Sequence, residues 1–252
     1  MIRKLTGLIN HILDNKFGLR IQPSADERLA HARNQLLRES ATKLVLDVGA
    51  NEGQWARRLR EDGYKNRILS FEPSEAFESL SKRVWRDENW QCQKLAVSNI
   101  NGQVNLFSAS NGNLSTSILR PNAILNQGFN LEFESKNSVE SVTLEKILST
   151  YEFSSFYLKI DVQGAEMLVL EGAGRTLDYC IAIEFESALI SLYHGETTHY
   201  PIADWLRAKN FEPFQVAITH WDKELRTISL DSIFINTKYF DPENIVFKDL
   251  VI

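Results

Sequence analysis

The sequence predicts an α/β fold, a mainly parallel sheet with helices on both faces, preceded by a helical segment. Three observations carry this. From Lys43 onward, short apolar runs alternate with amphipathic stretches in the order strand, turn, helix. The first run ends in a turn bounded by Gly49 and Gly53, directly before a helix. The last two runs are joined only by residues 219–230, too short for a crossover helix, so the final strand returns antiparallel. With 252 residues, 43% hydrophobic and 24% charged, the chain has the composition of a folded domain near the upper size for one core. Residues 1–42 therefore read as a helical extension and residues 43–252 as one domain.

The elements follow in order. Ser24 and Glu27 after Pro23 have the form of a capping box, and Leu29, Ala32, Leu36 and Leu37 share one helical face that flanks the main domain. Residues 43–48 form a buried strand and 54–62 a helix. Residues 68–71 are the second strand, stopped by Glu72-Pro73, with a helix over 74–84. Residues 91–97 make the third strand. Asn101-Gly102 is a tight-turn dipeptide, with 104–107 as the returning arm of a hairpin. Residues 108–117, rich in Asn, Gly and Ser, are loop. Thr143 caps a helix reaching Leu148. A fourth strand covers 156–162, a helix 164–170 and a fifth strand 181–185. Pro201 suits the first turn of a helix through Trp205 and Leu206, and strands at 214–218 and 232–236 finish the sheet.

Several classes of function drop out. A net charge of −5, from 28 basic and 33 acidic residues, argues against a surface that coats nucleic acid. Two cysteines, Cys92 and Cys180, are too few for a disulfide framework or a zinc cluster and read as core thiols. The N-terminal segment begins with basic residues, but Asn10, His11 and Asp14 interrupt its apolar run. No stretch is long enough to span a membrane, and a cytoplasmic protein is expected.

In open α/β sheets ligands bind beyond the carboxyl ends of the strands. The segment Asp47-Val48-Gly49-Ala50-Asn51-Glu52-Gly53 stands at such an end. Alone it is an ordinary strand-to-helix turn. Glu72, closing the next strand, shifts the balance, because a carboxylate there can accept hydrogen bonds from both ribose hydroxyls of a nucleoside. Asn51 stands where a dinucleotide fingerprint has its second glycine, and no Gly-Lys-Ser/Thr follows, so a nucleoside without a pyrophosphate fits better. S-adenosylmethionine is such a ligand. Asp47, Gly49, Asn51, Gly53, Glu72 and Ser98 are the candidate cofactor residues.

Asp161 ends the fourth strand over the same crevice. It could take the proton of an acceptor hydroxyl, hold a cation that acidifies that hydroxyl, or simply cap the following helix. Glu184 and Glu186 have equal parity on the fifth strand and are expected to converge with Asp161. Asp161 and Glu184 are then conceivable ligands of a divalent metal, with a strand-end salt bridge the alternative for Glu184. His194 and His199 lie on a loop expected to overhang the crevice, His194 being the stronger candidate base. His220 reads as surface or acceptor contact, and the stem of Lys159 as cover for the sheet.

The block Asp47 to Gly53, then Phe71-Glu72-Pro73, then Leu158-Lys159-Ile160-Asp161-Val162-Gln163-Gly164-Ala165-Glu166 followed by Val169-Leu170-Glu171-Gly172-Ala173, resembles the FkbM family of methyltransferases over residues 43–236. The resemblance implies a Rossmann-like class I methyltransferase fold with a seven-stranded sheet, S-adenosylmethionine as cofactor, and methylation of hydroxyl oxygens on macrolide-type products or glycans. Gln163 departs from the family's usual Glu and removes an acidic group near the site. The polar segments 108–117 and 193–201, with Tyr193 and Tyr200, are expected to form acceptor walls suited to a saccharide. The expected activity is thus O-methylation of a saccharide hydroxyl. A nicotinamide-dependent oxidoreductase and a catalytically silent binding module are the alternatives.

Overall fold

The computed structural model describes residues 23–241, so the helical reading of residues 1–22 lies outside the described residues. In chain order the elements are α1 (Ala25–Glu39), β1 (Leu44–Val48), α2 (Gln54–Glu61), β2 (Arg67–Phe71), α3 (Phe77–Val84), β3 (Trp90–Gln93), β4 (Ala96–Val97) and β5 (Gly102–Ala109). There follow α4 (Ala123–Phe129), β6 (Phe133–Val142), α5 (Leu144–Leu148), β7 (Phe156–Ile160) and α6 (Glu166–Gly172). A 3₁₀ turn (Gly174–Tyr179), β8 (Cys180–Ala188), α7 (His199–Arg207), β9 (Phe211–Trp221) and β10 (Thr227–Asn236) complete the chain.

Seven strands form the main sheet in the order β3-β2-β1-β7-β8-β10-β9. All run parallel except β10, which is antiparallel to both β8 and β9, as the short final connection requires. Chain direction across the sheet reverses at β1, which pairs with β2 on one side and β7 on the other, and this switch point opens a crevice at the strands' carboxyl ends. Each face has its own core. Leu44, Leu46 and Val48 of β1 pack on the side of α5, α6 and α7, whereas Val45 packs with residues of α1, α2 and α3. Burial on both faces explains why β1 is apolar at nearly every position.

The capping box forms as expected: Glu27 N donates to Ser24 Oγ and Ser24 N to Glu27 Oε2. Leu29, Ala32, Leu36 and Leu37 bury α1 against the α2–α3 side of the sheet. Cys180 is buried and Cys92 half-buried, both as free thiols.

The central region differs from the sequence reading. Residues 91–97 are not one strand: β3 ends the main sheet, while β4 joins a second sheet in the order β4-β6-β5. β5 pairs antiparallel with β6, and Asn101 is no hairpin turn but accepts a hydrogen bond from Thr143 N at 3.1 Å. An alternating pattern identifies a strand without naming its partner. The partner, β6, reads Phe-Glu-Ser-Lys-Asn-Ser-Val-Glu-Ser-Val and carries no apolar run to reveal it. The second sheet matters because its β5 and the 108–117 loop cover the crevice.

Candidate active site

Two backbone turns build the crevice. Gly49 has φ of 76°, and a Cβ there would lie 1.8 Å from the Asp161 carbonyl oxygen, so only glycine lets the end of β1 touch the end of β7. Gly49 N and Ala50 N both donate to Phe71 O at 3.0 Å. Asn51 N then donates to Glu72 Oε2 and Ser74 N to Glu72 Oε1, each at 2.8 Å. Glu72, only 6% exposed, is thereby fixed on the crevice wall by backbone amides from both sides. Leu95, Val97 and Leu106 line the apolar side, Thr116 and Ser117 the cover, and Lys159 and Asp161 the far end.

A polar row crosses four strands beneath the crevice. Ser70, Asp47, Lys159 and Glu184 face one another in register on β2, β1, β7 and β8. Ser70 Oγ donates to Asp47 Oδ2 at 2.9 Å. Lys159 Nζ lies 3.6 Å from Asp47 Oδ1 and donates to Asp161 Oδ2 and Gly49 O, both at 3.3 Å. Burial opposes the charge on Lys159, but Asp161 and Asp47 outweigh it and hold the ammonium above its ordinary pKa. Burial also pushes the Asp47 carboxyl up, despite the attraction of Lys159. The ammonium is a hub for both strand ends, which the reading of Lys159 as sheet cover missed. Its equal parity with Asp161 was the available signal.

Two residues further along, a second polar row forms the rim. Gln163 Nε2 donates to Asp161 Oδ1 at 2.8 Å and to Glu186 Oε2 at 3.2 Å. Glu186 Oε1 accepts from Ser229 Oγ at 2.9 Å and lies 3.1 Å from His220 Nδ1. Asp231 sits opposite Glu186 in register; burial, reinforced by Glu186 and Asp161, pushes its carboxyl up to about 8. Glu166, which starts α6, accepts from Val162 N and Gly164 N, and burial pushes it to about 8. The turn before α6 is thus held by Glu166, and the Asp161 carboxylate stays at that far end of the crevice.

Several sequence-predicted residues lie elsewhere. Glu184 does not converge with Asp161: Arg33 Nη1 donates to its two oxygens at 2.8 and 3.1 Å, Trp55 Nε1 at 3.0 Å and Tyr157 OH at 2.7 Å. Two residues of strand rise, roughly 7 Å, put Glu186 at the rim and leave Glu184 under α1 and α2. Glu184 is therefore spent as a structural ion pair, and among the described residues no group of three His, Cys, Asp or Glu is placed to hold a metal. His194 is exposed, tethered by its backbone to Arg120 O, and does not line the crevice. His199 is buried, with Nδ1 2.8 Å from Ser187 Oγ and its ring stacked on Phe185; burial lowers its pKa. Ser98 is buried outside the crevice, 2.7 Å from Ser141 Oγ, and fastens β4 to β6. Gly53 shapes the turn, packing on Leu80 and Trp90, without lining the crevice. Tyr193 is buried too: its hydroxyl donates to Ser115 O at 2.8 Å, which pins the 108–117 loop over the crevice. The loop borders two hollows: Asn113, Leu114, Thr116 and Ser117 line the crevice, while Ser115 and Tyr193 line a second hollow beside Gln163 and His220.

The Methyltransferase FkbM domain profile matches residues 47–213. The 2-O-methyltransferase NoeI of Sinorhizobium fredii (strain NBRC 101917 / NGR234) is 30% identical over 185 residues, covering 70% of this chain and 76% of that protein. Among solved structures, M. capricolum TrmK in complex with S-adenosyl-homocysteine aligns with TM-score 0.46 and 8% identity over 80% of this chain and 67% of that one. The N-terminal domain of human METTL16 in complex with SAH aligns with TM-score 0.45 and 12% identity, over 92% of this chain and 81% of that one. The profile match takes in every segment that lines the crevice, from the β1 turn to the end of β7. The chain belongs to the FkbM family of S-adenosylmethionine-dependent methyltransferases.

Proposed function

We propose that this enzyme methylates a hydroxyl oxygen of a saccharide or glycoconjugate. The similarity to a 2-O-methyltransferase is the observation that carries the choice of oxygen. Support for a sugar comes from the rim: Trp221 is 57% exposed beside Asp161, Glu186 and Asp231, an aromatic face next to hydrogen-bonding carboxylates. Such a surface covers the C–H face of a sugar ring and binds its hydroxyls.

The crevice residues fit the methyl donor. Glu72 is locked with its carboxylate on the wall, suited to ribose hydroxyls, and Phe71, Leu95 and Val97 offer an apolar slot for a base. Gly49, Ala50 and Asn51 would cradle the methionine portion, with Lys159 and Asp161 at its charged end. Bound there, S-adenosylmethionine supplies a methyl carbon activated by its sulfonium. Asp161 borders both this crevice and the groove beside Trp221. Both its oxygens are already held, by Lys159 and Gln163, which suits it to orienting an acceptor hydroxyl at that border.

The test is methyl-labelled S-adenosylmethionine offered with nucleotide sugars, oligosaccharides, macrolides, amines and thiols. An O-methyl sugar is the expected product; label confined to amine, thiol or macrolide overturns the proposal. A thermal-shift panel with S-adenosylmethionine and NAD checks the donor, since a ligand at about a hundred times its Kd stabilises by roughly 2.7 kcal/mol.

A further inference from the structure

We infer that His220, oriented by Glu186, takes the proton from the acceptor hydroxyl. The inference rests on the reading of the site as an oxygen methyltransferase and assigns a residue that the matched family domain, ending at residue 213, does not reach.

Three observations carry it. First, Asp161 and Gln163 divide the donor crevice from two hollows on the acceptor side, and His220 lines both of those hollows. Second, one ring nitrogen is fully engaged. Nδ1 lies 2.8 Å from Ser229 Oγ and 3.1 Å from Glu186 Oε1. Glu186 Oε1 can only accept, and with the Ser229 proton directed to Glu186 both groups present acceptors to the ring, which favours Nδ1–H. Third, a neutral imidazole with its proton on Nδ1 carries the lone pair on Nε2, and the His220 side chain is 58% exposed at the groove. A carboxylate that fixes the tautomer and stabilises the imidazolium is the arrangement a general base needs. His199, with its ring buried against Phe185, and His194, outside both hollows, lack it.

The step balances without a further reactant. The acceptor O–H bond breaks and its proton passes to Nε2. The oxygen's electron pair forms the new O–CH3 bond, and the pair of the broken C–S bond remains on the donor's sulfur as a neutral thioether.

The groups facing His220 are Glu186 on β8, Asp231 on β10, Asp161 beyond β7, Asp26 at the start of α1, and Glu166 and Glu196 across the second hollow. All are carboxyls. The hydrogen bond with Glu186 raises the imidazole pKa against the opposing effect of burial, and Asp231 and Asp161 add to it. Turnover that needs neutral His220 should therefore rise with pH through a value above that of a free histidine.

The experiment has two arms. Nitrogen-15 NMR of the donor-free enzyme should show Nδ1–H on neutral His220 and a pKa above 6.5, falling in Glu186→Gln. An Nε2–H tautomer, or a pKa indifferent to Glu186→Gln, overturns the dyad whatever the acceptor is. In the second arm, His220→Gln is assayed with labelled S-adenosylmethionine and a mixture of nucleotide sugars and oligosaccharides. Its kcat should fall about 10²–10⁴-fold with the acid limb of the pH profile lost, while calorimetric affinity for S-adenosylmethionine holds. Unchanged kcat, or an unchanged profile, overturns the inference. If wild-type enzyme labels an amine instead of a sugar, the oxygen reading fails while the NMR arm still decides the dyad.

Discussion

Glu184 and Glu186 lie two residues apart on one face of β8, yet their surroundings differ in kind. Glu184 is closed in by Arg33, Trp55 and Tyr157, with the Arg33 guanidinium also 4.6 Å above the Trp55 ring. Glu186 meets rim partners, Gln163, Ser229 and His220, and stays partly open to the groove. The first carboxylate fastens α1 and α2 to the sheet. The second lies at the rim, against the proposed base His220. Strand parity makes the two equivalent, and depth below the sheet's edge separates them. A buried ion pair is costly to break, whereas a rim carboxylate can be altered with little effect on folding.

The comparison breaks most sharply at Arg33. Arg33→Met leaves Glu184 buried without its cation, and urea unfolding should show a loss of about 3–5 kcal/mol. Glu186→Gln in the same titration should cost less than about 1 kcal/mol. Equal losses in the two variants would erase the distinction between clamp and rim.

A third carboxylate sharpens it. Glu72 is as buried as Glu184 but lines the crevice. Glu72→Ala should remove two charge-assisted hydrogen bonds to ribose, each worth about 1.5–3 kcal/mol, and weaken S-adenosylmethionine by at least about tenfold in calorimetry. Retained affinity would place Glu72 with Glu184, as a carboxylate with a structural role only.

At the rim the effect is one of pH. Asp231, opposite Glu186, titrates at about 8 in the folded chain against an ordinary 3.8. Between those values the folded state holds a proton that the unfolded state has released. The stability this contributes is full below about pH 4 and is lost as pH rises through about 8. Asp231→Asn should raise the urea midpoint at pH 8 more than at pH 5; a shift equal at both would contradict the burial assigned to Asp231. Glu166, also near 8, adds a slope of the same sign that this variant leaves in place.

The smallest expected change lies on the clamp side. Ser24→Ala removes the cap of α1 and should lower stability by about 1 kcal/mol, well short of Arg33→Met. A loss as large as that of Arg33→Met would mean that the capping box, not the ion pair, holds α1 in place.

Much of this was legible in the sequence where neighbours along the chain determine the outcome. The Ser24–Glu27 box, the Gly49 turn, Glu72 at the end of β2, Asp161 at the end of β7 and the antiparallel closure all depend on contacts within a few residues or on connection length. The histidines were less legible. His194, His199 and His220 have similar local sequence settings, and only packing sends one to the surface, one to the core and one to the rim. The polar β6 was hidden because a strand of a small covering sheet needs no apolar run.

The sequence by itself determined the alternation of strands and helices, the switch-point crevice and the family blocks that line it. These follow from periodicity and from backbone conformations that particular residues permit. The tertiary structure alone decided which partner each strand and each charge would meet. β4 left the main sheet for β6, Glu184 met Arg33 from 151 positions away, and Lys159 reached back 110 positions to Gly49. The physical reason is that side-chain alternation fixes the face a residue occupies, while what stands across that face depends on how the layers stack.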